Sequence, residues 1–273
     1  MVAVGVKTLL KSGIVLDLYF FKNNRSAFVS MLIWPYLTLG LILGMGAFFG
    51  SAESFRQNVG LPVNPLTYFV ASTLAMMVSM DVMWGVGGSV LHHRWIGTLP
   101  YVLLSPNRTS VTLVFTYVPR YLLTAAIQLA EFAPLVLAVE GLSNGALKLG
   151  VMALAATVGM LPLLGFAALF ASFLLSIKEE SNILSFLNPL ILLFSGAFYP
   201  AYLLPRWAQL VSAVLPSTYT IELARVAALI GSPELRRVTL LIGALVAMTA
   251  LYNSASGLVI QAGERRAMRE GAI

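Results

Sequence analysis

Residues 149–177 read LGVMALAATVGMLPLLGFAALFASFLLSI, twenty-nine positions without a charge between Lys148 and Lys178. A helix rising about 1.5 Å per residue needs roughly 20 apolar residues to cross the hydrocarbon core of a bilayer. This stretch is long enough, and it is not alone. No charge occurs between Arg25 and Glu53, Arg56 and Asp81, Glu180 and Arg206, or Arg237 and Glu264. A sixth apolar segment, about residues 113–139, carries Arg120 and Glu131. The whole chain is 59% hydrophobic and 10% charged, with mean hydropathy +0.87. Soluble domains carry about 25% charged residues, so lipid is the expected solvent. The expected fold class is an all-α integral membrane protein with six transmembrane helices.

The formal charge is +6. Its basic residues flank apolar segments, a pattern that fits anionic lipid and topology and not nucleic acid. With no cysteine in the chain, disulfides, thiolate catalysis and cysteine-ligated metals are excluded. No Gly-x-x-x-x-Gly-Lys-Ser/Thr phosphate loop occurs, and Gly-x-Ser-x-Gly, His-Glu-x-x-His and Gly-x-Gly-x-x-Gly are also missing. The only histidines are the neighbours His92 and His93. Adjacent helical positions point about 100° apart and make a poor chelating pair. Ser89 and His92 stand three residues apart, but nothing nearby supplies an orienting acid or an oxyanion hole. No catalytic residue, metal site or cofactor site is expected.

Outward from the quoted span, the chain reads as one transmembrane domain, residues 1–273. Residues 1–25 form an interfacial helix, with Val6, Leu9, Leu10, Ile14, Leu18 and Phe21 at helical spacing and Lys7, Lys11 and Lys22 off that stripe. Residues 26–260 form the six-helix core and 261–273 a charged tail. The spans are expected at about 27–49, 66–90, 112–139, 149–176, 183–199 and 238–260. Gly40-x-x-x-Gly44 and Gly46-x-x-x-Gly50 in the first span permit close helix packing. Residues 51–65 read as a loop, 92–108 as a polar connection, 140–148 as a short loop, and Lys178-Glu179-Glu180 as a tight turn. Residues 200–232, broken by Pro205 and Pro216 and carrying Arg206, Glu222 and Arg225, are too interrupted to span. Two short re-entrant or interfacial helices are expected there, between the fifth and sixth spans. With both termini inside, Lys and Arg divide ten inner to six outer, which favours cytoplasmic termini and a multi-pass protein of the cell membrane.

Two segments carry a family resemblance. The first is His93-Arg94-Trp95-Ile96-Gly97-Thr98-Leu99-Pro100-Tyr101-Val102-Leu103-Leu104-Ser105-Pro106. The second runs Ser195-Gly196-Ala197-Phe198-Tyr199-Pro200, then Leu204-Pro205, Trp207, Leu215-Pro216-Ser217-Thr218-Tyr219 and Glu222-Leu223-Ala224-Arg225. Together they resemble the "G-T-L-x-x-L-L-x-S-P" and "SGxFYP…LPxW…LPxTY…R" stretches of type-2 ABC exporter permeases. Such permeases have six helices, an N-terminal connecting helix and re-entrant helices between helices 5 and 6. They work as dimers, each copy bound to a separate ATPase subunit that holds ATP and magnesium. The resemblance implies that the connection after the second span, His92, His93, Arg94, Trp95, Ile96, Gly97, Thr98 and Leu99, docks on the ATPase. By composition alone it reads equally as an interfacial connector with a tryptophan anchor. Family members often place an acid just before Gly-Thr-Leu. This chain has His92-His93-Arg94, which implies a docking surface of different polarity.

The remaining candidates concern the path of the cargo. Asp81 lies inside the second span, where an acid costs about 2.5–3.5 kcal/mol on insertion scales. It reads as a substrate or gating residue, or as a helix–helix hydrogen bond. Arg120 is expected to snorkel to the interface or to pair with a lipid phosphate. Glu131, eleven residues on, is roughly 16 Å away and cannot pair with it directly. Trp34, Tyr36, Met76, Met77, Met80, Trp84, Phe194, Phe198 and Tyr199 read either as an apolar pathway or as packing. Pro200 and Pro216 bracket the interrupted segment, and Asn188-Pro189 is expected to kink the fifth span. The functional expectation is an exporter permease moving hydrophobic or amphipathic cargo (drug, lipid or glycolipid). The alternative is an ion-coupled secondary transporter, which would want paired membrane-embedded charges.

Overall fold

A computed structural model describes residues 5–49, 52–60, 62–105, 107–175, 183–229 and 235–269. The expected turn at Lys178-Glu179-Glu180 lies outside the described residues. Those described are almost entirely helical, their sole β feature being one bridge between Val63 and Leu229. Among the described residues, five helices are long and apolar enough to cross a membrane: 25–44, 65–87, 109–140, 142–174 and 235–259. The chain is a multi-pass, all-α membrane protein.

The first helix, α1 (Val6–Asn23), is followed by α2 (Arg25–Phe49). Residues 51–65, expected as a loop, contain a helix, α3 (Ala52–Val59). Next comes α4 (Pro65–Val82), where Asn64 caps the start by accepting from the Leu66 N–H. A wide π turn, Met83–Gly87, joins α4 to α5 (Ser89–Trp95). The second span therefore stays helical through His92–Trp95, past the expected end near residue 90. Gly97, at φ +72°, turns the chain into the short helix α6 (Leu99–Leu103). Then α7 (Thr109–Glu140) and α8 (Leu142–Leu175) form a long hairpin whose only break is Gly141. The loop expected at 140–148 is thus mostly helix. Gly145 makes the tight return possible, because a Cβ there would lie 2.9 Å from the Leu137 side chain.

Beyond the undescribed segment, α9 (Ile183–Phe194) ends five residues before the expected 199. Ser195–Tyr199 form a turn instead, with Gly196 at φ +73°. The interrupted region folds as two short helices, α10 (Arg206–Val214) and α11 (Pro216–Arg225), flanked by single 3₁₀ turns at Ala201–Leu203 and Val226–Ala228. The last helix, α12 (Leu235–Arg269), runs through residues expected to be a charged tail. Charge does not end a helix once it leaves lipid, since Arg is a good helix former.

The bundle is built around α4, whose Val70, Leu74, Val78 and Val82 are fully enclosed. α7, α8 and α11 pack on it, while α2 and α12 lie outside with mostly exposed apolar faces. Small residues set the closest contacts, as expected where helices associate by fit and not by exclusion of water. A Cβ at Gly159 would meet Thr220 of α11, and one at Gly165 would meet the Asn253 backbone of α12. A smaller cluster of Val90, Leu91, Leu99, Leu113, Ala171 and Leu174 holds α5 and α6 at the α1 end of the bundle.

The N-terminal helix docks differently from its apolar stripe. Its buried residues are Leu9, Gly13 and Asp17, whereas Val6, Ile14 and Leu18 stay exposed. Gly13 decides the matter. A Cβ there would sit 2.2 Å from the Thr116 carbonyl oxygen, so only glycine lets α1 lie this close to α7.

Candidate functional site

Four helices converge on a cavity of about 470 Å³, α1 supplying Phe20 and Phe21. α2 contributes Trp34, α4 and its π turn contribute Met80, Asp81 and Trp84, and α7 contributes Arg120, Thr124 and Gln128. Of the pathway candidates in the first two spans, Trp34, Met80, Asp81 and Trp84 line this space and Tyr36 does not. Met77 joins them, whereas Met76 is buried in the packed core.

The cavity's polar chemistry was not legible in the sequence. The Tyr117 hydroxyl donates to Asp81 Oδ2 at 2.7 Å. Tyr117 reaches it because Gly85, in the π turn, carries no side chain; a Cβ there would fall 1.8 Å from the tyrosine ring. Arg120 meets α1. Its Nη1 lies 4.0 Å from Asp17 Oδ1, and its guanidinium stacks 4.9 Å from the Phe20 ring centre. The physical reason is that α1 lies over Arg120 and supplies both a carboxylate and aromatic faces. Burial raises the pKa of the Asp17 carboxyl, Arg120 opposes this, and Asp81 adds to it. The only acid of α1 thus faces the protein, and nothing in the helical periodicity marked it.

A second cavity, of about 640 Å³, adjoins the first at Phe20 and Arg120. It lies beneath α1 and is lined by Asp17, Tyr117 and, from α5, His92 and His93. His93 Nδ1 meets the Thr98 hydroxyl at 2.8 Å, and burial, with His92 beside it, lowers the His93 pKa. The Ser89 hydroxyl donates to the Val86 carbonyl and not to a histidine.

The connection itself is a turn and a short helix. His92, His93, Arg94 and Trp95 form the last turn of α5, Ile96 and Gly97 make the bend, and Thr98 precedes α6. Leu99 is buried and anchors the bend, whereas Trp95, Ile96, Tyr101 and Leu104 project outward, Tyr101 at 77% exposure. Arg94 Nη2 donates to the Leu174 carbonyl at 3.4 Å, which ties α5 to the end of α8.

Phe194, Phe198, Tyr199, Pro200 and Pro216 do not join the cavity. They belong to the opposite end of the bundle, where Arg225, only 4% exposed, organises the chain. Its Nε donates to the Ser72 hydroxyl at 2.8 Å, Nη1 to Glu222 at 3.1 Å, and Nη2 to the carbonyls of Gly196 (2.7 Å) and Ala197 (2.9 Å). The Tyr68 ring lies 4.6 Å below the guanidinium. Glu222 also takes Arg237 at 2.8 Å. Ser72 and Asp81 are nine residues apart on α4, about 13 Å along the axis. Phe194 packs edge-on against Trp207, Phe198 is exposed, Pro200 is buried beside the clamp, and Pro216 opens α11. Both carboxylate oxygens of Glu131 are buried without a partner, and its carbonyl accepts from the Tyr36 hydroxyl.

Among the described residues, no group of three or more His, Asp or Glu is placed to hold a metal ion. No model of a known protein family matches the chain, and no curated protein sequence matches it.

Proposed function

We propose that this chain is the membrane-spanning permease subunit of an ATP-binding-cassette exporter. It works as a dimer, with a second copy or a paralogue, and a separate ATPase subunit supplies ATP and magnesium. The carrying observation is the bend at Gly97. It presents Trp95, Ile96, Tyr101 and Leu104 at one end of the bundle while Leu99 roots it in the core. A chain without a phosphate loop must receive its energy through such a contact. Exposed aromatic and aliphatic side chains on a rooted turn are what a docking partner grips.

Two further features support the reading. Leu174 is tied to α5 at the α1 end, whereas Gly196 is tied to Arg225 at the other end. On this reading α9, which lies between those two ends in the sequence, belongs to a sixth crossing, and both termini share one side. The Arg225 clamp also gives the second motif a physical purpose. Its Ser-Gly-Ala turn offers two carbonyls, its arginine takes both, and α10 and α11 lie between them as a re-entrant pair. Both termini then face the cytoplasm, and hydrophobic or amphipathic cargo crosses by way of the cavity at Asp81 as ATP-driven closure moves the bend.

The gathering of Asp17, Asp81 and Arg120 favours a second reading, an ion-coupled secondary transporter. One experiment separates the two. The full chain is purified with the ATPase encoded beside its gene, and ATP hydrolysis is measured in lipid for the wild type and for Tyr101→Asp/Leu104→Asp. The exporter reading expects a stable complex that the variant loses without losing its own fold. A chain that binds no ATPase and alone moves solute down an ion gradient overturns it.

A further inference from the structure

We infer that the cavity between α2, α4 and α7 is a binding site for a lipophilic organic cation, its charged centre seated at Asp81. Resting on the permease reading, this names the class of cargo. The binding itself is a property of this chain without any partner.

The inference comes from an inventory of what the walls offer. Asp81 accepts a hydrogen bond from neutral Tyr117 and makes no ion pair among the described residues. Gln128 is 3% exposed, lines the cavity, and its buried Oε1 has no donor. A buried acceptor without a donor costs about 1–3 kcal/mol, and such a group at a cavity wall marks where a ligand's positive end belongs. Arg120, the one resident cation, is occupied by Asp17 and by the Phe20 ring. Two carboxyl groups therefore stand near one guanidinium, which pairs with Asp17 and leaves Asp81 open to a second cation.

The apolar lining narrows the class further. The indoles of Trp34 and Trp84 and the side chains of Met77 and Met80 line the same cavity as the acid. Aromatic rings attract an organic cation through their quadrupole, and methionine adapts to irregular apolar bodies. A volume near 470 Å³ falls within the range of small-molecule pockets. Calcium or magnesium takes six or more oxygens, and no group of three or more His, Asp or Glu among the described residues is placed to hold a metal ion. A neutral lipid would leave Asp81 uncompensated, and an anion would meet a carboxylate and an orphan carbonyl.

The test uses the full chain alone in lipid nanodiscs and two probes of matched size and opposite charge, tetraphenylphosphonium and tetraphenylborate. Binding is read from quenching of the four tryptophans, with partition into empty discs subtracted. The phosphonium is expected to bind saturably and at least about tenfold more tightly than the borate, and Asp81→Asn to lose about tenfold in phosphonium affinity. Asp81→Glu is expected to keep most of it. Equal binding of the two probes overturns the inference, as does an Asp81→Asn protein, monodisperse and melting normally, that binds phosphonium within about twofold of the wild type. If Asp81→Asn does not fold, the ratio of the two probes on the wild type decides alone. Cation binding that survives in a chain with no ATPase partner supports the site while the permease reading falls. Assembly with an ATPase but no preference for the cation removes the site and leaves the permease.

Discussion

Tyr117 reaches across from α7 to donate its hydroxyl to Asp81 at 2.7 Å, and the path of its ring is the empty space above Gly85. This pairing turns a membrane-embedded acid from a liability into a fixed acceptor. It also explains the π turn, since the extra backbone residue lets α4 expose a glycine to the tyrosine. Gly85→Ala should therefore displace the ring and cost about 1–3 kcal/mol by overpacking. Tyr117→Phe, which removes only the hydroxyl, should cost about 1 kcal/mol. Thermal melts in detergent would rank the two. A Gly85→Ala protein as stable as wild type would mean that the ring does not pack as described.

Arg225 is the strongest structural wager. Replacing it with Met leaves the Gly196 and Ala197 carbonyls without their donor and Glu222 with Arg237 alone, a loss of about 3–5 kcal/mol. Lysine keeps the charge but lacks the planar fork that serves four partners, so Arg225→Lys should rescue little. Melting temperatures of both variants provide the check, and a lysine variant matching wild type would contradict the clamp.

Two glycines with the same backbone twist should respond differently to alanine. Gly97 (φ +72°) has open space where a Cβ would stand, so Gly97→Ala should cost only the left-handed strain, about 1–2 kcal/mol. Gly196 (φ +73°) adds a contact at 2.9 Å with the Tyr199 carbonyl, and its alanine variant should lose more. Chemical denaturation of the pair would show the order.

His93 predicts a pH dependence. Its folded pKa lies below the ordinary 6.5, so the unfolded chain binds the proton first. Stability is full above about pH 6.5 and falls as the pH drops toward the folded pKa. Wild type should melt lower at pH 5.5 than at pH 7.5, and His93→Gln should lose part of that slope. An unchanged slope would remove His93 from the account.

The absence of native cysteine makes orientation directly measurable. Single cysteines at Leu104 and at Tyr202, both exposed, lie at opposite ends of the bundle. With cytoplasmic termini, a membrane-impermeant thiol reagent should label Tyr202→Cys in intact cells and Leu104→Cys only after permeabilisation. The reverse pattern would invert the protein.

By itself, the sequence determined the class of fold and most of the helix positions. Charges are excluded from hydrocarbon, so the gaps between them mark helices whatever the rest of the chain does. It also named Trp34, Met80, Asp81 and Trp84 among a wider set of pathway candidates, for aromatic or flexible side chains and for an acid at membrane depth. Only the tertiary structure decided what those residues meet. Asp17 and Arg120 are 103 positions apart, and Tyr117 is 36 from Asp81. No local periodicity encodes such pairings, because they depend on which helices a Gly13 or a Gly85 allows to approach. Likewise, Arg225 read only as a charge in an interrupted segment and the end of a motif, whereas in the fold it holds the carbonyls of Gly196 and Ala197. Hydrophobicity is a property of each segment and survives in the sequence, whereas complementarity belongs to pairs of segments and exists only once they are packed.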